Sequence, residues 1–189
     1  MKVGALTEHM AAPDLPTELE RSAAWAALAA LAAAAGVVEG MVTLPVPFLR
    51  LGVANVFILA ALWRWGFRAA SAVAAVKVAV TALALGTLVS PVFPMNAGGT
   101  LASLAAMTVV AFSVRRRAAG IIPASALGGA AHAAWQVAFL YFLTRAGAAA
   151  YIAPPLVVWG FITGVAVGWV TVKFLNAESG KGGGIYARH

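Results

Sequence analysis

Six long apolar runs, separated by short segments rich in proline, glycine or charge, make up most of this chain. The runs cover about residues 22–42, 51–67, 69–89, 97–114, 121–144 and 156–175. Each approaches the roughly 20 apolar residues that a helix needs to cross a bilayer. The prolines from residue 45 onward lie between runs or at their starts, where a helix tolerates them. The pattern predicts an all-α integral membrane protein with six transmembrane helices.

Composition supports this class. Hydrophobic residues make up 62% of the 189 and charged residues 10%, whereas soluble domains carry roughly 25% charged residues. The net charge of +7 would suggest nucleic acid for a soluble protein, but here the basic residues lie between apolar runs. They therefore indicate how the chain is oriented in the membrane and where it contacts lipid head groups. We expect no nucleic-acid partner. The absence of cysteine excludes disulfides and thiolate ligands.

The basic residues also predict orientation. If the N-terminus is cytoplasmic, the inner segments hold ten of the thirteen Lys and Arg residues, and the outer links hold only Arg50 and Arg145. This asymmetry follows the positive-inside rule and predicts that both termini are cytoplasmic. We expect a cytoplasmic segment at 1–21, a membrane domain at 22–175 and a glycine-rich flexible tail at 176–189.

Polar residues inside apolar runs are the candidates for function, because polar groups at membrane depth are costly. On the six-span topology they lie between mid-membrane and the outer side, and His132 and Gln136 share a helix face. We predict a ligand pocket that opens outward, for a ligand with a carboxylate or phosphate. Its residues are Glu39, Asn55, Lys77, His132 and Gln136 within the runs, together with two residues near the outer surface, Arg50 and Asn96, the latter in the predicted outer loop 91–99.

Four of these residues also have a structural interpretation. Glu39 and Lys77 could pair, or Lys77 could snorkel. His132 could form a hydrogen bond to a neighbouring helix, and Asn55 could cap or brace a helix end. Trp135, deep in the fifth run, is either a packing residue or a site residue.

Two stripes of small residues predict close helix approach. Ser22, Ala26, Ala30 and Ala34 recur every fourth residue in the first run, and Gly160, Gly164 and Gly168 do so in the sixth. We expect the glycines to pack helices within the chain. The first stripe suits internal packing and docking of another membrane subunit equally.

Several short motifs carry a family resemblance. They are Leu51 to Asn55 after an acidic helix end and a proline-rich loop, Gly86-Thr87-Leu88, Gly98-Gly99, and Gly128 to His132 with Gln136. Over about residues 38–172 the chain resembles the bacterial Gx transporter family, also called heptaprenyl diphosphate synthase component I. Ala133 departs from that pattern, in which Asn follows the His.

That family is similar to the S components of energy-coupling-factor transporters. The resemblance implies a six-helix bundle that captures a vitamin-like ligand from the outer side, with Glu39, Asn55, His132 and Gln136 at its polar motif positions. It also implies docking to a transmembrane coupling subunit through the small-residue face of the first helix.

Three functions follow. The first is a substrate-binding transporter subunit; since Gly180-Lys181 does not form a Walker A motif, ATP-driven transport would need separate ATPases. The second is the synthase of the family's other name, but the magnesium sites of such enzymes use aspartates, and Asp14 is this chain's only one. We therefore expect no enzyme activity, while an accessory role in prenyl diphosphate or quinone synthesis remains open.

The third function is a membrane scaffold without a ligand. We expect no cofactor and no metal site, because His9, His132 and His189 lie far apart in the sequence.

Overall fold

The described part of the chain, in a computed structural model, comprises residues 18–42, 52–115, 117–145 and 148–179. Within these residues there are no strands, and six α-helices account for most of the chain. They are α1 (Glu18–Met41), α2 (Ala54–Trp65), α3 (Phe67–Ala84), α4 (Val92–Ser113), α5 (Ile121–Thr144) and α6 (Ala148–Ser179), with a 3₁₀ turn at Ala118–Gly120 before α5. The predicted all-helical class is confirmed.

Five of these helices are long and apolar enough to cross a membrane. The exception is α2, which has 12 residues, nine of them buried. It lies in the centre of the bundle and packs against each of the other five helices. Its residues Ile58, Leu59 and Leu62 belong to the main core.

The helices alternate in direction. At one end, the Trp25 and Trp65 rings meet edge to face at 6.5 Å, so the start of α1 lies beside the end of α2. An ion pair between Arg64 and Glu178 places the end of α6 beside the end of α2. The indole N–H of Trp63 donates to the Arg117 carbonyl at 3.2 Å, which places the α4–α5 link there too.

We call this end, where α2, α4 and α6 terminate, the basic end. It carries six of the described Lys and Arg residues: Arg21, Arg64, Arg68, Arg115, Arg117 and Lys173. The opposite end holds the end of α1, the start of α2 and, among described basic residues, Arg145 just after α5.

Several predicted boundaries were wrong. The helix α1 begins at Glu18, four residues before the predicted start. Glu18 and Glu20 lie in its first turn, where their negative charges stabilise the positive end of the helix dipole. The helix α3 ends at Ala84, five residues before the end of its apolar run. Conversely, α4 begins at Val92, so Asn96 lies within a helix and not in the loop predicted for it.

The largest difference concerns α6, predicted at 156–175. It begins at Ala148 and contains Pro154 and Pro155, which we had placed outside helices. Membrane helices tolerate proline because neighbouring groups satisfy the freed carbonyls. The helix also continues to Ser179, into the predicted flexible tail, and Glu178 is held there by Arg64. Residues 180–189 and 1–17 lie outside the described residues.

Candidate functional site

A polar cavity lies between α1, α2, α3, α5 and α6, near the end opposite the basic end. It brings together five of the seven predicted ligand-binding residues, although they come from four different helices: Glu39, Asn55, Lys77, His132 and Gln136. The remaining lining residues are Gly52, Gly129, Ala133, Leu156, Trp159, Gly160 and Thr163. The lining of the cavity thus contains an acidic and a basic side chain, two side-chain amides and the indole ring of Trp159.

Lys77 carries its charge into the bundle from the middle of α3. The residue is 5% exposed, and its ammonium Nζ donates to Thr100 Oγ1 at 3.1 Å. The backbone of α1 passes close to it at Gly36, where a Cβ would approach Lys77 Cε to 3.4 Å. A buried ammonium is costly in a membrane protein, so this placement marks the cavity as a candidate site.

Glu39 connects the end of α1 to the start of α2. Its carboxylate accepts a hydrogen bond from the backbone N–H of Val53, the residue before α2. The amide groups at a helix start have no partner within the helix and carry partial positive charge, which a carboxylate stabilises. The preceding Gly52 has φ +75°, a conformation that favours glycine and that turns the chain into α2.

His132 and Gln136 face the cavity from α5, one helical turn apart. The His132 ring lies against the backbone of Gly99 in α4, where a Cβ would be 2.8 Å from ring atoms. Gln136 is 3% exposed, and its Nε2 donates no hydrogen bond to the described residues. A buried amide donor without a partner costs free energy, so the cavity offers a donor that a ligand acceptor could use.

Glycines form the wall between α5 and α6. A Cβ on Gly160 would lie 2.9 Å from the Ala133 Cβ, and one on Gly164 would lie 2.8 Å from the Ala126 Cα. Gly168 meets α5 in the same way at Ile122. This helix pair packs backbone to backbone, and the close approach brings Thr163 and Trp159 of α6 beside Gly129 of α5 in the cavity.

The free space of the cavity is about 500 Å³ when its open mouth is included. No group of three His, Cys, Asp or Glu residues that could hold a metal ion occurs among the described residues.

A comparison with known protein families matches most of the chain to one family. The sequence profile described as heptaprenyl diphosphate synthase component I matches residues 28–174. The chain belongs to the heptaprenyl diphosphate synthase component I family. Neither curated proteins nor solved structures gave a match. The match confirms the predicted resemblance to heptaprenyl diphosphate synthase component I, and the matched region contains all the residues that line the cavity.

Of the two remaining predicted ligand-binding residues of this component I chain, one lies away from the cavity and the other is not described. Asn96 lies in the first turns of α4 and does not line it. Arg50 lies outside the described residues. Trp135 is also absent from the lining; its ring rests on the backbone of Gly98, and its N–H donates to the Pro94 carbonyl at 3.4 Å. This arrangement corresponds to the packing interpretation of Trp135.

The first-helix stripe of this family member faces away from the bundle. Ser22, Ala26, Ala30 and Ala34 are all exposed, whereas Ala29, Ala32 and Ala33 of the same helix are buried. The stripe therefore does not serve internal packing among the described helices.

The sequence analysis missed Thr100, Thr163 and Trp159 as site residues. Thr100 follows the Gly98-Gly99 motif directly, so its position was a usable signal. Thr163 and Trp159 had no such signal, because only the helix pairing of α5 with α6 brings them to the cavity.

Proposed function

We propose that this chain is a membrane-embedded subunit that binds a small polar molecule and delivers it within a multi-component system. The observation that carries the proposal is the convergence of Glu39, Lys77, His132 and Gln136 on one cavity at membrane depth. Polar groups there are expensive to retain without a function. We further propose that the ligand is vitamin-like or a cofactor precursor, with an anionic group that Lys77 would bind.

The distribution of charge supports an orientation for this function. Six described basic residues lie at the basic end, and the cavity lies toward the opposite end, near Glu39 and Val53. By the positive-inside rule the basic end is cytoplasmic, so the cavity opens to the outer side of a bacterial cytoplasmic membrane. Ligand capture from outside would then make this chain the binding component of a transporter.

The chain would depend on partners for transport. It has no Walker A motif, so a transmembrane coupling subunit and separate ATPases would supply the energy. The exposed small-residue face of α1, formed by Ser22, Ala26, Ala30 and Ala34, would provide a smooth surface for the coupling subunit.

Native mass spectrometry of the protein from mild detergent tests this function. We expect a bound small molecule in the wild type and its loss in Gln136→Ala and Lys77→Met. Ala134→Ser, on the exposed side of α5, serves as the matched control and should retain it. Variants that retain the same ligand as the wild type, while remaining folded, would contradict the proposal.

A second function is favoured by the family match. The description of the family names a component of heptaprenyl diphosphate synthase, and we propose as the alternative a non-catalytic accessory subunit in prenyl diphosphate or quinone synthesis. Purification of the tagged chain from a bacterial membrane separates the two functions. Co-purified prenyl synthase supports the alternative, and co-purified ATPases support the transporter.

A further inference from the structure

The link between α4 and α5 forms a pocket at the basic end of the bundle. The pocket has about 710 Å³ of space including its mouth. Its lining comes from the end of α4, the link and the first turn of α5: Ser113, Val114, Arg115, Arg117, Ala119, Gly120 and Pro123. The described lining thus contains two arginines and no acidic side chain. It shares no residue with the polar cavity, so it is a separate candidate site.

The backbone of this link is held in a fixed shape. The Arg115 N–H donates to the Phe112 carbonyl at 3.2 Å. The Arg117 N–H donates to the Val114 carbonyl at 3.1 Å, and the Arg117 carbonyl accepts the indole N–H of Trp63 at 3.2 Å. A fixed backbone presents the two arginines together and lowers the entropy lost when they bind a ligand.

The two arginines of the link differ from other basic residues at this end, three of which already have partners within the chain. The pairs are Arg21 with Glu18, Arg64 with Glu178, and Lys173 with the ring of Trp169. Arg115 and Arg117 form no ion pair within the described part of the chain. Guanidinium groups bind phosphate oxygens through paired hydrogen bonds. The pocket therefore presents two charges that suit a phosphate group.

An exposed stripe on α4 leads to this pocket. Leu101, Ala105, Val109 and Ser113 recur every fourth residue and are all exposed, so they lie on one side of α4 that faces lipid. Ser113, which lines the pocket, donates to the Val109 carbonyl at 2.9 Å. The stripe extends over about 18 Å of helix. A head group in the pocket would therefore have its acyl chains beside the apolar part of this stripe.

Tryptophans indicate that the pocket lies at the depth of the lipid head groups. Trp25 and Trp65 contact each other at the basic end. Tryptophan is enriched where the hydrocarbon of a bilayer meets its head groups. Since Trp63, two residues before Trp65, donates to the Arg117 carbonyl, the link lies at the same level.

We infer that the pocket at the α4–α5 link binds the head group of an anionic phospholipid in the leaflet at the basic end. Arg115 and Arg117 bind the phosphate, and the acyl chains lie along the exposed stripe of α4. Phosphatidylglycerol fits this site better than phosphatidylcholine, because the two arginines repel the quaternary ammonium of the latter. The inference is independent of the ligand of the polar cavity.

Native mass spectrometry of the full chain, released from nanodiscs with equal amounts of phosphatidylglycerol and phosphatidylcholine, tests this site. We expect the wild type to retain phosphatidylglycerol about tenfold more often. Arg115→Gln combined with Arg117→Gln should bring the ratio of the two retained lipids close to one, because hydrogen bonds to charged groups are lost. Both side chains are exposed, so this variant should keep its melting temperature in phosphatidylcholine.

Two controls separate this site from simpler explanations. Arg21→Gln combined with Lys173→Gln removes two charges from the same end and should change the ratio less than about twofold. Glycerol 3-phosphate carries the phosphate without the acyl chains. Added to the wild type at the concentration of the lipid, it should displace no phosphatidylglycerol.

Three results would overturn the inference. One is equal retention of the two lipids by the wild type. Another is an equal loss of selectivity in both double variants, which would assign the selectivity to the overall charge of this end. The third is displacement of phosphatidylglycerol by glycerol 3-phosphate, which would indicate a site for soluble phosphate compounds.

Discussion

Lys77 shows how single residues give the polar cavity its character. The residue lies in an apolar run, and its ammonium reaches Thr100 on the neighbouring helix while remaining 5% exposed. Glu39 enters the same cavity from α1. Because the two side chains carry opposite charges, the site suits a ligand that is polar and has more than one kind of group.

Removal of the Thr100 hydroxyl tests how the ammonium is held. Thr100→Val keeps the side-chain shape but removes the acceptor, and we expect a loss of about 1.5–3 kcal/mol in stability. Thr100→Ser retains the hydroxyl and should lose less. Thermal unfolding of the purified protein in detergent measures both; equal melting temperatures for the two variants would contradict the role of the hydroxyl.

Gly99 makes room for His132. Gly99→Ala would put a methyl group 2.8 Å from the His132 ring, so the ring must rotate or α4 must shift. We expect weaker retention of the co-purified ligand, with a stability loss of about 1–3 kcal/mol from overpacking. The neighbouring Ala102→Ser adds one atom to α4 outside the cavity and is the control. Unchanged ligand retention in Gly99→Ala would show that His132 does not need its present position.

At the level of helices, sequence analysis predicted the six elements because their apolar runs are long. It also predicted that His132 and Gln136 share a face, since that follows from helix geometry alone. The helix ends were less predictable: Asn96 and Pro154 look like loop residues, but both lie in helices. The partner of Lys77 could not be predicted, because hydropathy does not specify which helices pack together.

The α5–α6 pair is the most extensively packed in the bundle, and it depends on glycine. A Cβ on Gly129 would overlap the Gly160 carbonyl oxygen, a backbone atom that cannot rotate away. We expect Gly129→Ala to separate the two helices and to cost about 1–3 kcal/mol or more. Ala134→Ser adds one atom to an exposed position of α5 and should leave the melting temperature nearly unchanged.

For the whole molecule, the absence of cysteine permits a direct test of orientation. Val89, 99% exposed, lies in the α3–α4 turn, and Ala119 lies at the opposite end in the α4–α5 link. In intact cells a membrane-impermeant maleimide should label Val89→Cys. Ala119→Cys should react only after the membrane is opened, if the basic end is cytoplasmic as the positive-inside rule predicts. The reverse pattern would invert the proposed direction of ligand capture.

The shortness of α2 bears on how the chain enters the bilayer during synthesis. Twelve residues of helix span about 18 Å, whereas the hydrocarbon core is about 30 Å thick. A segment of this length is poorly retained alone, and only Gly66 separates it from α3. We therefore expect the insertion machinery to release α2 and α3 into lipid together, as a hairpin. The side of α2 that contacts α3 would then be covered from the moment of insertion, and its other sides would be covered once α4, α5 and α6 have joined the bundle.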